Sequence, residues 1–545
     1  GYAVMAAHAV NLTALPPYLS ETKGSPMVML NLSRDHQLFY KAYNEYSDLD
    51  GDGLPETQYK HSYRYYGYFD NQRCYSYSTA NNRFVPMRKE NGSAATDPTY
   101  CSDTAGAPEY WHGNFLNWAT TTRMDVVRRI LYGGFRSTDN SVVSGTSLTV
   151  LERAHLPTDA HAFAKYYSGA DIGKLTPFPA VTEISICNAS FKNGAVQYSH
   201  GAPSTPSILV ANGNFALWNS NERWQCYWNE DKAATNGNVP ANSGVNASAN
   251  NPSRATNGLG TGYAAGSYTA RVEVCKTGLD SPTAPDVGFT DDETARCKLY
   301  PLGNYKPVGL LQKYGEGNQA AFGLMTGSFD KNISGGVLRK NVSSFTDEVD
   351  LDDGQFKNFN GIVKNLNALR IYGYDYNVGT YIASDGCNFQ LTSLTQGNCT
   401  SWGNPMGEIY LESLRYLVGK VPGSPTVQIS PTTAFNNAAG AKDTAIGLTV
   451  QAWSDPYAST TTASFGEPIC RRTSVINFNA SVTSYDIDQL AGQTDINGLS
   501  GATTAASRTD QIGLAEGLYA TGKKWAVGST ATDTSQICND KSFTS

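Results

Sequence analysis

The sequence has few charged residues and no long apolar run. Charged side chains make up 16% of its 545 residues, and the formal net charge is −7. A nucleic-acid partner is therefore not expected, because it would require a basic stripe that displaces counterions. No stretch approaches the ~20 consecutive apolar residues that cross a bilayer, so we expect no transmembrane segment.

The patterns of common enzyme sites are also missing. There is no Gly-x-Ser-x-Gly nucleophile turn, no phosphate loop ending in Gly-Lys-Ser/Thr and no dinucleotide-binding glycine fingerprint. The seven histidines are scattered, and the near pair His155 and His161 lacks the His-Glu-x-x-His spacing of zinc peptidases. These absences predict a binding protein rather than an enzyme.

Cysteine, by contrast, is plentiful. The chain has ten cysteines, and none forms a Cys-x-x-Cys pair with zinc-binding spacing. An even number of widely scattered cysteines is typical of disulfides formed in an oxidising compartment. Pairing in sequence order is the simplest prediction, although other connectivities stay open. The candidates are Cys74, Cys101, Cys187, Cys226, Cys275, Cys297, Cys387, Cys399, Cys470 and Cys538.

The cysteines also predict where the protein acts. The N-terminus lacks the basic and apolar regions of a signal peptide. We therefore expect that a signal was removed before Gly1 and that the chain is exported to an oxidising environment.

An acidic run at residues 48–56 predicts a metal site. Asp48, Asp50 and Asp52 occupy alternate positions, and Gly53 follows them. Calcium takes about six to eight oxygen ligands, and carboxylates at loop positions one, three and five converge on it when a glycine at position six lets the chain turn. Leu54 would then offer its carbonyl, and Glu56 would bind directly or through water.

This run departs from an EF-hand. Position twelve is Tyr59, where an EF-hand has a bidentate glutamate. A solvated acidic turn is the alternative, because Asp and Gly are ordinary turn residues. Calcium is nevertheless the cofactor that we predict. The similar run at 350–354 favours a solvated loop, with a second calcium site as its alternative.

Apolar runs and helical patterns alternate along the chain. Residues 27–32, 321–328 and 474–479 predict buried strands. Helical spacing predicts a helix from 114 to 132 that ends at a glycine pair, and further helices around 362–369 and 410–418. Apolar strands separated by helices indicate an α/β fold with a mostly parallel sheet covered on both faces.

Several blocks share a family pattern. They are Met27–His36, Ala42–Ser47, Tyr65–Asp70, Gly113–Trp118, Arg123–Arg128, Leu131–Gly134, Tyr305–Leu311, Gly335–Arg339 and Ser484–Asp488. Together these blocks resemble the N-terminal half of type IV pilus tip-associated adhesins, the PilC/PilY family. The likeness is spread over most of residues 27–540, and the tryptophan-containing block is its most specific part.

The resemblance implies a von Willebrand factor A-like domain, a doubly wound sheet with large disulfide-stapled loop insertions. On that basis residues 1–26 form an N-terminal arm, and residues 541–545 form a tail. Residues 27–540 form the domain, with insertions at about 36–110 and 188–300. Family members continue into a C-terminal beta-propeller, which this division leaves out.

The resemblance also implies an adhesion-type metal site after the first strand, where the family pattern is Asp-x-Ser-x-Ser. This chain has Asn31, Ser33 and Asp35 there, so an amide replaces the leading carboxylate. Asn479 lies where a later acidic residue is expected. We predict a degenerate, structural turn. A working metal site, with Asp35 restoring one negative charge, is the alternative.

The residues and the resemblance together predict a secreted, calcium-binding protein of the type IV pilus tip that mediates adhesion, pilus assembly or both. Minor pilins and a host or abiotic surface ligand are the expected partners. The expected location is extracellular, at the pilus tip or cell surface of a bacterium, after export through the periplasm. Two alternatives stay open: a secreted polysaccharide-acting hydrolase and a purely structural pilus-priming component.

Overall fold

The structure, a computed structural model, describes much of the chain between residues 24 and 458 and shorter stretches after it. Residues 1–23 of the predicted arm, Cys470, Cys538 and residues 543–545 of the predicted tail lie outside the described residues. The described ranges are 24–90, 99–101, 110–191, 204–220, 223–232, 250–254, 259, 266–281, 284–285, 288–377, 379–387, 394–420, 424, 426–432, 440–458, 471–481, 484, 511–512, 514–515, 524–527 and 539–542.

The described residues form both helices and strands, and several strands follow one another without a helix named between them. The helices are α1 (Gly113–Thr120), α2 (Arg123–Tyr132), α3 (Ile172–Leu175), α4 (Asp291–Arg296), α5 (Leu310–Gly315), α6 (Ile362–Ala368), α7 (Met406–Val418) and α8 (Ala441–Ile446). The strands are β1 (Met27–Leu32), β2 (Arg73–Ser78), β3 (Arg83–Lys89), β4 (Trp111–His112), β5 (Arg136–Asn140), β6 (Leu148–Glu152), β7 (Phe163–Ser168), β8 (Glu183–Phe191), β9 (Thr205–Asn212), β10 (Ser267–Thr269), β11 (Arg271–Val274), β12 (Asp280–Ser281), β13 (Ala284–Pro285), β14 (Cys297–Leu299), β15 (Tyr305–Pro307), β16 (Ala321–Thr326), β17 (Val337–Ser343), β18 (Tyr374–Asp375), β19 (Thr380–Tyr381), β20 (Thr473–Phe478), β21 (Lys524–Val527) and β22 (Asn539–Ser542).

The apolar first strand lies inside a mixed sheet with the order β17-β16-β1-β20. β1 pairs in parallel with β16 and β20, whereas β17 is antiparallel to β16. Successive side chains of a strand point to opposite faces. Met27 and Met29 accordingly join one apolar cluster, and Leu30 and Leu32 join another.

Helices cover both faces of this sheet. α7 packs Ile409 and Tyr416 against the face that holds Met27 and Met29. The other face packs against residues of α2, α5 and α6, among them Leu311. The protein is therefore a mixed α/β fold. The strands predicted at 27–32 and 321–328 and the helices predicted around 362–369 and 410–418 are confirmed, with observed bounds of 27–32, 321–326, 362–368 and 406–418.

Two predicted elements differ from the structure. The single helix expected over 114–132 is two helices, because the first ends at its cap Thr121 and Thr122 caps the second through a reciprocal pair of bonds with Asp125. The strand expected at 474–479 occurs at 473–478 but is not buried. Ile476 on this strand is 45% exposed, since the strand pairs on one side with β1 and has no second partner strand in the described part of the chain.

The segments predicted as insertions hold more regular structure than expected. They contribute to a six-stranded sheet, β4-β2-β3-β11-β6-β5, and to an antiparallel sheet, β10-β9-β8-β7. Aromatic and aliphatic side chains such as Phe84, Trp111, Ile186 and Tyr268 form a shared core. The division of the chain into arm, domain with insertions and tail stays a prediction.

Four disulfides join neighbouring cysteines along the chain. They are Cys74–Cys101, Cys187–Cys226, Cys275–Cys297 and Cys387–Cys399. Pairing in sequence order is confirmed for these eight residues. Each bond is expected to add about 2–4 kcal/mol, largely by restricting the unfolded chain. Among the described helices, none has the length and apolar character needed to cross a membrane.

Candidate metal centre in the acidic loop

The acidic loop is anchored at both ends to the folded part of the protein. Its backbone closes where Glu56 N donates to Ser47 O at 3.1 Å. Leu49 packs half-buried against the aromatic core. Tyr59, which stands where an EF-hand has glutamate, is buried with its ring centroid 5.1 Å from that of Phe115. The departure at position twelve therefore gives the loop a hydrophobic anchor instead of a ligand.

Backbone bonds fold the loop around its first aspartate. The Asp48 carboxylate accepts from Gly51 N at 2.7 Å and from Gly53 N at 2.8 Å. Gly53 has φ +88°, in the left-handed region that a residue with a side chain rarely adopts. Asp52 then caps the turn by accepting from Leu54 N at 2.9 Å. The sharp turn predicted at position six is present.

The loop brings four of the predicted ligands together. One carboxylate oxygen each from Asp48, Asp50, Asp52 and Glu56 lies within 4.8 Å of the other three. The three aspartates are exposed, whereas Glu56 is buried. The side chain of Leu54 is 69% exposed, as expected of a residue that would bind through its carbonyl. These hard oxygen donors fit a divalent cation such as calcium.

A lysine missed by the sequence reasoning lies among these carboxylates. The Lys60 ammonium contacts Asp50, lies 2.9 Å from Asp52 Oδ2 and lies 3.2 Å from Glu56 Oε1. The hydrogen bonds to Asp50 and Asp52 raise the pKa of Lys60 above its usual value, and the bond from Lys60 lowers the pKa of Asp52. The spacing of four between Glu56 and Lys60 was the available signal.

The second acidic run does not gather its carboxylates. Asp350 Oδ1 accepts from Asp352 N at 2.9 Å, and Asp353 Oδ1 accepts from Gln355 N at 2.9 Å. Within the described ranges, no second group of three or more His, Cys, Asp or Glu side chains converges as the 48–56 loop does. The acids at 350–353 instead cap their own turn.

The predicted adhesion-type site lies at the carboxyl end of β1, and its polar atoms bond to neutral groups. Asn31 Nδ2 donates to Asn477 Oδ1 at 2.9 Å. Ser33 Oγ donates to Asn404 Oδ1 at 2.8 Å. Asp35 accepts from Gln37 N at 2.9 Å, and burial raises the pKa of Asp35.

Arg34 is the positively charged residue of this turn, and its guanidinium contacts backbone carbonyls. Its guanidinium donates to Thr400 O, to Asn332 O and Trp402 O at 2.9 Å each, and to Gly403 O at 3.0 Å. Burial lowers the pKa of Arg34 to about 10. The side chain thereby ties the end of β1 to the 400–403 segment.

A buried chain of polar side chains follows the same turn. Tyr381 OH donates to Asp159 Oδ2 at 2.6 Å, Asp159 Oδ1 lies 2.6 Å from His161 Nδ1, and His161 Nε2 lies 3.1 Å from His36 Nδ1. Burial lowers the pKa of His36 to about 3, and the nearby His161 is the second largest cause of the decrease. No pattern in the sequence links these residues, since His36 and His161 are 125 positions apart.

Comparisons with known proteins place the chain in a family. Residues 56–211 match the model described as PilY1 homolog, small alpha/beta domain. Residues 322–545 match the model described as PilY1 homolog, second domain. Together these models cover more than half of the chain. No solved structure matches it.

Two matches to relatives agree with the family models. Both are described as type IV pilus biogenesis factor PilY1 homolog and come from Xylella fastidiosa. One is 32% identical over 490 residues, which is 85% of this chain and 29% of the relative. The other is 36% identical over 93 residues, covering 17% of this chain and 7% of the relative. The chain thus spans less than a third of the length of these relatives. The chain belongs to the PilY1 homolog family.

Proposed function

We propose that the protein is a calcium-binding component of type IV pili that acts outside the cell in pilus assembly, adhesion or both. The observation that carries the calcium assignment is the convergence of four carboxylates in a loop anchored to the aromatic core. The pilus assignment is supported by the relatives, which are named as pilus biogenesis factors. The four disulfides fit export through the periplasm.

Calcium and Lys60 compete for the same oxygen atoms in this proposal. Lys60 neutralises part of the negative charge when calcium is scarce, and its ammonium swings out when the ion enters. An ion at ten times its dissociation constant stabilises a folded protein by only about 1.4 kcal/mol. Calcium therefore orders the loop but contributes too little to be needed for folding of the core.

A von Willebrand A-like arrangement is the finer fold that we propose. It is supported by the interior position of β1 between two parallel strands and by helices on both faces of the sheet. The turn at Asn31, Ser33 and Asp35 is structural in this proposal, because its amide and hydroxyl groups bond to neutral side chains. Contact with minor pilins and a surface ligand at the pilus tip is then made by other surfaces.

A purely structural role in pilus priming is the second candidate, favoured by the relatives' description as biogenesis factors. A polysaccharide-acting hydrolase is less well supported. Such an enzyme needs two free carboxyl groups about 5–10 Å apart in a groove. The acids in the wall of a cavity between α2, α4 and α5, Asp292 and Glu316, are paired with cations.

The test is complementation in the source bacterium after deletion of its own copy. The variant is Asp50→Ala with Asp52→Ala, and the matched control is Asp350→Ala with Asp352→Ala. Surface pili are counted and attachment is measured in millimolar calcium and in chelator. We expect calcium-dependent piliation or attachment with the intact gene and the control, and loss of that dependence in the 50/52 variant.

The two readouts separate the candidates. Loss of pili indicates a role in assembly, whereas normal pili with lost attachment indicate adhesion. Equal behaviour of the intact gene and the 50/52 variant at all calcium concentrations would contradict the proposal.

A further inference from the structure

A cavity of about 690 Å³ lies between α2, α4 and α5, and no residue of the acidic loop lines it. Its size is in the range of ligand pockets, about 300–1,000 Å³. Three of the blocks quoted for the family resemblance supply wall residues, including Tyr66, Gly133 and Val308.

Backbone contact holds one wall of the cavity in place. α2 ends at Gly133, whose φ is +89°. A Cβ atom at Gly133 would lie 2.4 Å from Pro307 O, and one at Gly309 would lie 2.5 Å from Ile130 O. The end of α2 and the segment entering α5 therefore touch through their main chains, which makes the wall rigid.

The wall carries an excess of positive charge. Four cations, Arg129, Arg296, Lys298 and Lys313, face two carboxylates, Asp292 and Glu316. Asp292 lies 2.6 Å from Arg129 Nη2 and 3.4 Å from Arg296 Nε, and Glu316 pairs with Lys298.

Lys313 has no acidic partner among the described residues. An excess of two positive charges remains in the wall of a protein whose net charge is −7.

The two arginines also hold unused hydrogen-bond donors. Arg129 is 4% and Arg296 is 7% exposed. Nε and Nη1 of Arg129, and Nη2 of Arg296, have no hydrogen-bond partner among the described residues, and Nε of Arg296 has only the 3.4 Å contact with Asp292. Buried donors without acceptors are rare and unfavourable, by about 1–3 kcal/mol each. The Tyr66 ring stacks on the Arg129 guanidinium, with 3.7 Å between the ring centroid and Arg129 Cζ. This stacking holds the plane of the guanidinium in one orientation toward an incoming acceptor.

We propose that this cavity binds an acidic peptide segment of a partner protein. A carboxylate of the peptide would lie against Arg129 and Lys313. A neighbouring aliphatic side chain would cover Ile130, Val308 and the half-exposed Leu310. An acidic polysaccharide fits less well, because its hydroxyl groups would face this apolar part of the wall without partners.

The test is fluorescence anisotropy with two labelled hexapeptides, (Leu-Glu)₃ and (Leu-Gln)₃. The whole chain is titrated in chelator, so that the result does not depend on the acidic loop. We expect the Glu peptide to bind and the Gln peptide to bind at least about tenfold more weakly. Raising the salt concentration should weaken the binding of the Glu peptide, because salt screens the charge interactions.

Two surface variants and one control locate the site. Lys313→Gln should lower the affinity for the Glu peptide by about fivefold, as expected for the loss of one exposed ion pair. Leu310→Asp places a negative charge at the mouth of the cavity and should lower the affinity for the Glu peptide further. Lys357→Gln is the matched control, because Lys357 is exposed and does not line the cavity, and it should bind like the intact chain.

Three results would overturn the proposal. One is equal affinity for the two peptides or no binding of either at millimolar concentration. Another is equal affinity of the Lys313→Gln and Lys357→Gln proteins for the Glu peptide. The third is displacement of the Glu peptide by trigalacturonate, which would assign the cavity to an acidic saccharide.

Discussion

The acidic loop and the turn after β1 both place polar side chains at alternate positions. They differ in which groups contact the nearby cationic side chain. The loop directs Asp50, Asp52 and Glu56 at the ammonium of the half-buried Lys60 near the surface. The turn is buried, and Arg34 turns its guanidinium away toward main-chain carbonyls. Spacing brings groups together in both places. The number of carboxylates and their access to solvent decide whether an ion can enter.

The two sites differ in their exposure to water, and this explains why a cation can be exchanged at one and not at the other. In the loop, screening by water makes each contact with Lys60 weak, so another cation can replace the ammonium. In the turn, every displaced hydrogen bond leaves a buried group unsatisfied. The loop is therefore expected to respond to calcium, and the turn to changes that disturb its buried partners.

Removing the Arg34 guanidinium should have the largest effect. Arg34→Met leaves buried carbonyls without donors, including Asn332 O and Gly403 O, and should lower the free energy of unfolding by about 3 kcal/mol or more. Urea denaturation at pH 7 measures the loss. Arg123→Met is the control, since Arg123 is half-buried and donates to Ala480 O at 2.9 Å, and about 1 kcal/mol is expected there. Equal losses in the two variants would contradict this account of the turn.

Restoring a carboxylate at the turn should not restore a metal site. In Asn31→Asp, a carboxylate would face Asn477 Oδ1, which now accepts the Asn31 amide, and stability should fall by about 1–3 kcal/mol at pH 7. Adding 10 mM magnesium or manganese tests the site directly. Full recovery of stability with either ion would show that the turn keeps a working metal geometry, contrary to our interpretation.

Acid should destabilise the protein through the buried His36 beside the turn. The pKa of buried His36 is about 3, below the unfolded value of about 6.5, so the unfolded state binds the extra proton between these values. Stability from this group is complete above about pH 6.5 and falls as the pH drops toward 3. At pH 5 the loss is about 2 kcal/mol. The charged and titratable neighbours of His36 include His161, Asp159, Arg34, Asp35 and Tyr40.

The measurement is urea denaturation of the intact chain and His36→Gln at pH 7 and pH 5. The variant should lose less stability on acidification than the intact chain does. His155→Gln, a change at a half-buried histidine beside Glu152, should keep the full drop. An equal drop in all three proteins would remove His36 from the explanation.

The smallest expected effect is at Lys60. Lys60→Met removes the competing ammonium, so calcium affinity at the loop should rise roughly threefold to tenfold. Lys60→Arg keeps the charge and should bind calcium like the intact chain. Calorimetric titration compares the three proteins. Weaker calcium binding by Lys60→Met than by the intact chain would show that Lys60 supports the ion instead of competing with it.

The sequence predicted those parts whose signals are local. The apolar run at β1 and the helical spacing of α6 and α7 correctly indicated a sheet with helices on both faces. The spacing of Asp48, Asp50 and Asp52 correctly indicated convergence, because three alternate carboxylates and a glycine share one tight turn. Sequential disulfide pairing was also correct for the eight described cysteines.

Other features depend on distant contacts and had no comparable signal. β2 alternates Tyr with Ser, which hid its place in a six-stranded sheet. The break at Thr122 depends on a capping bond that helical periodicity does not show. The chain from Tyr381 to His36 joins residues far apart in sequence, and the cavity beside Arg129 is formed only when three helices meet.

Calcium titration by calorimetry measures directly whether the acidic loop binds the ion. Three proteins are compared: the intact chain, Asp50→Ala with Asp52→Ala, and Asp350→Ala with Asp352→Ala. We expect saturable binding heats for the intact chain and the 350/352 variant, and none for the 50/52 variant. Heats that are unchanged in the 50/52 variant would contradict a calcium site in the loop.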